Sequence, residues 1–132
     1  MAGEKNLSII LASIKPELHE GEYVFCTVPS LDGLPIHQLV ALFMEKEGIT
    51  VIMTVTLANR LQLQYTFVAA WITLTIHSSL EAVGLTAAFS KVLSDANISC
   101  NVVAAYYHDH IFIPVKDAAR AMDLLHALAA AP

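Results

Sequence analysis

The second half of the chain carries the clearest hydrophobic pattern. Apolar and polar side chains alternate over residues 71–76, as in a half-buried strand, and residues 98–106 and 110–115 are two further predicted strands. Between the first two of these segments apolar residues recur at helical spacing, and a last helical pattern covers 116–129. His108-Asp109 suits a two-residue hairpin turn. The predicted order is therefore strand, helix, strand, strand, helix.

The first half shows the start of the same order less clearly. Residues 22–28 and 49–56 alternate as strands do, and 36–46 has apolar residues at the i, i+3, i+4 and i+7 positions of an amphipathic helix. Residues 7–11 form a short apolar segment with room for one or two helical turns, and 57–64 fits a short helix. This half is predicted to form a strand, a helix and a strand, followed by weaker elements.

The helix of the second half has a well-marked predicted start. Ser78 is a suitable N-cap and Glu81 follows three residues later, which makes a capping box that satisfies two N–H groups of the first turn. We therefore expect the helix to begin at Ser79 and to include Gly84, a glycine that favours close packing against a sheet. Asn97 suits the left-handed conformation that ends many helices.

These elements predict an α+β fold of the ferredoxin-like type, with the order βαββαβ, antiparallel sheets and helices on one face. Two such halves follow each other, residues 1–66 and residues 67–132. The C-terminal half lacks its last strand, and a sheet with a long unpaired edge is prone to aggregate. We expect the segment Ser13–Val28 to supply the missing strand, so that the halves exchange strands and are structurally intertwined.

The composition favours a soluble protein that associates with itself. Hydrophobic residues make up 56% of the 132 residues and charged residues 14%, against roughly 45–50% and 25% in average globular chains. A small domain buries a limited fraction of its surface, so the surplus indicates an interface and we expect a homodimer. The apolar runs have the length of strands rather than of membrane spans, and residues 1–13 lack the features of a signal peptide. We expect a cytoplasmic protein with no membrane contact.

Charge and cysteine content argue against further classes of function. The net charge is −5 and the seven Lys and Arg residues are scattered, so the chain lacks the clustered cations that nucleic-acid binding requires. Cys26 and Cys100 lie inside predicted strands, where we expect buried thiols acting as small apolar side chains rather than a disulfide or a nucleophile. His19, His37 and His126 are expected to be ordinary surface or edge residues.

The central run His77–Ala88, followed by Ile98–Ala104 and Tyr106–His110, closely resembles a family of small bacterial ACT-domain-like proteins once classed as a domain of unknown function. The runs Tyr23–Val28 and Glu45–Ile52 are similar to the first half of the same family. The resemblance implies tandem ACT-like ferredoxin folds. In the wider ACT superfamily such modules bind amino acids or other small metabolites and report on them, which implies a regulatory module rather than an enzyme.

The best candidate ligand site is the loop that enters the helix of the second half. A helix start offers free N–H groups and a partial positive charge, which suit the carboxylate of an amino acid. With the strand predicted to lie beside this loop, the predicted ligand-binding residues are His77, Ser78, Ser79, Leu80, Glu81, Asn101 and Val102. Two alternatives stay open: the capping box serves structure alone, and Asn101 caps a strand edge.

Catalytic and metal chemistry have weaker support. His108 and His110 form a metal-like pair, and a zinc site would need a further ligand such as His77. No Gly-x-Ser-x-Gly elbow accompanies Ser78 and Ser79, and the sequence has no glycine-rich phosphate loop. We expect no catalytic residue, no metal and no cofactor. The predicted function is a regulatory module that binds a small metabolite, such as an amino acid, at an inter-module or dimer interface. The alternative is a ligand-free dimerisation or protein-interaction module.

Overall fold

A computed structural model of the chain describes residues 6–75 and 83–130. The chain divides into two compact units, which we call the central unit (residues 20–69) and the terminal unit (residues 1–19 and 70–132, within the described ranges). The division of the sequence into halves after residue 66 stays a prediction about the sequence repeat. In chain order the elements are α1 (Leu7–Ser13), β1 (Lys15–Leu18), β2 (Tyr23–Val28), a 3-10 turn (Ile36–Gln38), β3 (Ala41–Met44), β4 (Ile49–Thr54), α2 (Val55–Arg60), β5 (Val68–Thr75), α3 (Leu85–Asp95), β6 (Asn101–Ala104), β7 (Asp109–Pro114), a second 3-10 turn (Val115–Asp117) and α4 (Ala118–Ala130).

The central unit is built around β2. This strand pairs antiparallel with β4 along its whole length, and β4 pairs on its other side with β3. The start of β5 pairs with the start of β2, at Tyr23–Ala69 and Val24–Val68. The alternating patterns of 22–28 and 49–56 thus predicted β2 and β4 correctly. The buried core of the unit, between these strands and α2, consists of Val24, Cys26, Val28, Ile49, Val51, Met53, Leu57 and Ala58.

The helix predicted over 36–46 is wrong. One 3-10 turn forms at Ile36–Gln38, and the residues after it extend as β3. The N–H of Glu45 donates to the carbonyl of Gly48 at 3.1 Å, which closes the hairpin between β3 and β4. A helix would have buried Phe43 on its apolar stripe, whereas 71% of the surface of this residue is exposed. A few apolar residues at helical spacing also fit a short strand, and pairing with β4 decided between the two.

The short helix predicted over 57–64 is present as α2 but starts two residues earlier. The hydroxyl oxygen of Thr54 accepts a hydrogen bond from the N–H of Leu57 at 3.1 Å, as an N-cap does. The strand predicted over 49–56 therefore ends at Thr54, because this residue already begins the helix.

The terminal unit places early and late residues in one sheet. β1 pairs antiparallel with β5, from Lys15 opposite Thr75 to Leu18 opposite Ile72. On its other side β5 neighbours β7, which pairs with β6. The prediction that the segment 13–28 supplies a strand to the C-terminal half is confirmed, and the part of it that does so is β1.

The helices α1, α3 and α4 cover one face of this sheet. α3 and α4 pack against each other and α1 packs against both. Since successive strand residues face opposite sides, Ile72 and Leu74 of β5 point toward the helices while Trp71 and Thr73 point away. Within the described ranges, no helix has the length and apolar composition of a membrane span. The buried core consists of Ile10, Ile14, Ala70, Ile72, Leu74, Leu85, Phe89, Leu93, Ile98, Ile111, Ile113, Ala121 and Leu125.

The hairpin between β6 and β7 turns at a different place from the predicted one. The turn residues are Tyr106 and Tyr107, and the N–H of Ala105 donates to the carbonyl of His108 at 3.1 Å to close it. Asp109 is already paired in β7. The turn predicted at His108-Asp109 is therefore wrong, because the register of the two strands and not the turn-forming tendency of these residues sets the reversal.

We expect Ile10→Ala to lower the free energy of unfolding by about 2–5 kcal/mol, because Ile10 is fully buried in the core of the terminal unit. Its neighbour Ile9 is 55% exposed on the same helix, so Ile9→Ala is a matched control with an expected change below about 0.5 kcal/mol. Chemical denaturation measures both values. Equally small losses in the two variants would show that α1 does not pack on the C-terminal residues in solution.

Candidate functional site

Five of the predicted ligand-binding residues lie outside the described residues: His77, Ser78, Ser79, Leu80 and Glu81. The described chain resumes at Val83, after β5 has ended at Thr75. A ligand contact by these five residues stays a prediction.

Gly84 changes the predicted start of the following helix. Its φ of +94° is a left-handed conformation that a residue inside an α-helix does not adopt, so Gly84 is the N-cap of α3 and not one of its helical residues as predicted. The predicted capping residues Ser78 and Glu81 lie outside the described residues. Its carbonyl accepts from the N–H of Ala88 at 2.9 Å. A Cβ at this position would lie 3.2 Å from Leu7 Cδ2, so glycine also leaves room for α1. At the other end Asn97 has a φ of 62°, as predicted.

The two predicted residues that the structure describes, Asn101 and Val102, follow each other on β6 and face opposite sides of the sheet. Val102 packs against the core of the terminal unit. The Nδ2 of Asn101 donates to the carbonyl of Phe112 on β7 at 3.2 Å, which is the strand-edge role that the sequence left open. A ligand on one face of the sheet would meet only one of the two side chains.

Four side chains of the terminal unit form a hydrogen-bonded group on the sheet face away from the helices, which we call the histidine–tryptophan cluster: His19, Trp71, Thr73 and His110. The Nε1–H of Trp71 donates to His110 Nδ1 at 3.1 Å. The Thr73 hydroxyl oxygen lies 3.0 Å from the same nitrogen and 2.7 Å from His19 Nε2. The rings of His19 and Trp71 stack, with centroids 3.6 Å apart and planes at 10°.

Strand alternation and strand pairing place these side chains. Trp71 and Thr73 are two residues apart on β5, and His110 lies on the neighbouring β7. His19 follows β1 directly, and its backbone N–H donates to the carbonyl of Trp71 at 3.0 Å. The pairing of β1 with β5 therefore delivers the imidazole of His19 to the indole ring.

The hydrogen bonds of the cluster require an uncharged His110. An indole N–H can only donate, so His110 Nδ1 must accept and the proton of this ring is on Nε2. Burial lowers the pKa of His110, and the positive charges that His108 and His19 can carry lower it further. Burial also lowers the pKa of His19, while the charge of Glu17 opposes this effect. The folded protein thus favours neutral imidazoles at both positions.

The sequence analysis missed this cluster. Alternation alone shows that Trp71 and Thr73 share a face of β5, and a correct order of strands would have brought His110 beside them. His19 follows the edge strand β1 and is half-buried, which agrees with the expectation of a surface or edge residue, but its stacking on Trp71 and its contact with Thr73 were not predicted. Nothing in local spacing connects His19 with strands that lie far along the chain.

His108 and His110, the pair of candidate metal ligands in the sequence, are only partly available to bind a metal ion. The lone pair of His110 Nδ1 is engaged by Trp71. His108 Nδ1 is buried and has no hydrogen-bond partner among the described residues. Over the part of the chain that the structure describes, no group of three or more His, Cys, Asp or Glu side chains is placed to hold a metal ion.

Both cysteines are free thiols with little tendency to ionise. Burial raises the pKa of Cys26, and it raises the pKa of Cys100 to about 11. Since the thiolate is the nucleophilic form, these environments suit apolar packing rather than nucleophilic chemistry. Cys26 lies in the core of the central unit and Cys100 packs against that of the terminal unit, as expected from the sequence.

Two family models match this chain, and both are described as an ACT domain. One matches residues 2–70, which is more than half of the chain, and the other matches residues 67–127. The chain belongs to the ACT-domain family. The tandem arrangement implied by the resemblance is thereby confirmed. No curated protein matches the ACT-domain chain described here.

Solved structures share the fold. A Vibrio cholerae protein of unknown function, described as a possible transport protein, has a TM-score of 0.84 and 43% identity over 95% of this chain and 97% of its own. An Agrobacterium tumefaciens protein has a TM-score of 0.66 at 15% identity, over 88% and 89% of the two chains. The ligand-free regulatory subunit of aspartate kinase from Thermus thermophilus has a TM-score of 0.59 at 7% identity, over 88% and 98%. At 15% and 7% identity the last two likenesses show the fold alone. They confirm the predicted ferredoxin-like α+β class.

The histidine–tryptophan cluster makes the stability of this ACT-domain protein depend on pH. The folded state holds His19 and His110 with lowered pKa values, so the unfolded state binds more protons once the pH falls to the ordinary histidine value of about 6.5. The stabilisation is fully present above that value and is lost as the pH falls toward the folded-state pKa. We therefore expect the free energy of unfolding to decrease between about pH 7.5 and about pH 5.5.

His110→Asn isolates this effect, because asparagine keeps an acceptor near Trp71 Nε1 but does not titrate. The free energy of unfolding of this variant should change less over the same pH range than that of the unmodified protein. His126 is exposed on α4, so His126→Asn is the matched control and should keep the original pH dependence. Urea denaturation at both pH values measures the difference, and an unaltered pH dependence in His110→Asn would refute the assignment.

Proposed function

We propose that this chain is a regulatory module that binds a small metabolite, an amino acid being the first class to test. The observation that carries the proposal is the pair of ACT-domain matches over residues 2–70 and 67–127. ACT domains commonly bind small molecules such as amino acids. The Thermus thermophilus neighbour is itself the regulatory subunit of an aspartate kinase, in a ligand-free form, which supports a role that responds to a ligand.

The proposed ligand site is the loop before α3, residues 77–81, together with Asn101. Support comes from the helix that follows, because α3 has eleven residues and its N-cap Gly84 has no side chain to bond the N–H groups of the first turn. The first turn also contains no acidic residue that would neutralise its partial positive charge. Both features suit the carboxylate of an amino acid.

A second candidate function is a homodimerisation module without a ligand. The specific observation in its favour is β3, the edge strand of the central unit, whose Phe43 and Met44 are 71% and 65% exposed. Exposed apolar residues on an edge strand indicate a surface that another chain covers. Under either candidate we propose a cytoplasmic, non-catalytic protein that acts through binding.

A thermal-shift screen with the twenty amino acids, followed by calorimetry on any hit, separates the two candidates. A true ligand at about 100 times its Kd should raise the free energy of unfolding by about 2.7 kcal/mol. If none of the amino acids raises the melting temperature while sedimentation shows a dimer, the dimerisation module is the better description.

Ser78→Ala and Ser79→Ala test the position of the site. Each should weaken binding of the amino acid identified in the screen by about tenfold, because a lost hydrogen bond to a charged group contributes of that order. Ser94→Ala is the control, since Ser94 is exposed near the other end of α3. Unchanged affinity in both loop variants would place the ligand elsewhere.

A further inference from the structure

The central unit has an open cleft of about 730 Å³ along one side of β2. One side of the cleft is formed by β2 and β4, and the other by the segment that leads into β5. The lining residues are Phe25, Cys26, Thr27, Thr50, Leu63, Gln64, Tyr65 and Thr66.

The cleft exists because β2 and β5 pair over a short distance. The ladder between them ends at Val24–Val68, whereas β2 continues to Val28 against β4. The segment before β5 turns toward α2 instead, where the N–H of Leu63 donates to the carbonyl of Ala58 at 2.9 Å. The second half of β2 is thus left with a strand on one side and the cleft on the other.

The hydrogen-bond pattern of β2 directs the backbone of Thr27 into the cleft. Alternate residues of an antiparallel strand bond to opposite neighbours. The N–H of Val55 donates to the carbonyl of Glu22 at 2.9 Å, so the even-numbered residues of β2 bond toward β4 and the odd-numbered ones toward the β5 side. Thr27 is odd-numbered and lies beyond the last pair with β5. Its N–H and C=O point into the cleft and have no hydrogen-bond partner among the described residues.

The lining carries hydroxyl, amide and apolar groups, and none of its described residues has a formal charge. The side chains of Thr27, Gln64 and Thr66 are exposed and can donate and accept hydrogen bonds. A charged ligand would find no counter-charge among these residues. A free amino acid, with its two charges, is therefore a poor fit. A neutral peptide backbone matches the site, because it offers donors and acceptors along its edge as Thr27 does.

The walls of the cleft are held in place without a ligand. The hydroxyl of Tyr65 donates to Asn59 Oδ1 at 2.8 Å, which anchors the segment before β5 to α2. The Thr27 side chain packs closely against Gly48. A Cβ added to Gly48 would lie only 2.9 Å from Thr27 Oγ1. Groups that are ordered before binding lose less conformational entropy when a ligand arrives.

We propose that this cleft binds an extended, uncharged peptide segment of a partner protein. The segment adds as a short strand beside the second half of β2, with its backbone bonded to Thr27 and its side chains against Phe25, Leu63 and Tyr65. At roughly 3.3 Å per residue, the part of β2 from Cys26 to Val28 accommodates about three residues of such a segment on the side away from β4. This site is independent of the amino-acid site proposed before α3.

NMR titration of the ¹⁵N-labelled full chain with acetyl-Thr-Val-Thr-Val-amide tests the proposal. We expect saturable shifts of the amide signals of Thr27, Gln64 and Thr66. The same peptide N-methylated at its two central residues cannot donate the strand hydrogen bonds, and its affinity should be at least about tenfold lower. Acetyl-Glu-Val-Glu-Val-amide should bind equally weakly, because the cleft offers no positive charge.

Thr66→Trp fills the cleft and should weaken binding of the neutral peptide by about tenfold or more. Thr86→Trp makes the same change at an exposed position of α3 and should leave the affinity within about twofold. If Thr66→Trp does not fold, the comparison of the neutral peptide with its N-methylated form still tests the proposal on the unmodified protein. Absent shifts with the neutral peptide, or equal binding of the N-methylated or the acidic one, would overturn the proposal. Shifts of the same three signals with free amino acids would assign the cleft to a metabolite instead and would also overturn it.

Discussion

The pairing of β1 with β5 is the interaction on which the terminal unit depends. It joins β5, from the middle of the chain, to residues that precede it by 54 to 60 positions. The same pairing has consequences on both faces of the sheet. On one face α1, which leads into β1, places Ile10 and Ile14 in the core. On the other face it brings His19 onto Trp71. Without β1, β5 would present unpaired backbone groups and the core would lose the residues that close it.

Much of this fold could be predicted because a strand that faces a core on one side has a recognisable pattern of side chains, with every second residue on the same face. The strand patterns over 22–28, 49–56, 71–76 and 110–115 identified β2, β4, β5 and β7, and the need for a further strand pointed to the early residues. The helix over 36–46 failed because its apolar spacing is compatible with two structures, and only the pairing of β3 with β4 distinguishes them.

Positions that depend on contacts between distant residues could not be predicted. The reversal of the β6–β7 hairpin follows from strand register, so His108 and Asp109 do not form the turn that their composition suggests. The start of α3 follows from the left-handed backbone of Gly84 and from the nearness of Leu7, neither of which a capping pattern contains. The histidine–tryptophan cluster needs the order of β1, β5 and β7, which no local spacing gives. The family itself was identifiable, because the resemblance depends on continuous runs of sequence.

A strand edge with unpaired backbone groups can pair with strands of other chains. The two open edges of the central unit differ in how many kinds of partner they admit. β3 is exposed along its length and carries apolar side chains, so any chain with a free edge could pair with it. The second half of β2 is open only toward a cleft whose far wall is fixed by Tyr65 and Leu63. The proposed occupant of the space before that wall is one extended segment rather than a second sheet. The break in the β2–β5 ladder therefore restricts what can bind at Thr27, which is the condition for a selective contact rather than for aggregation.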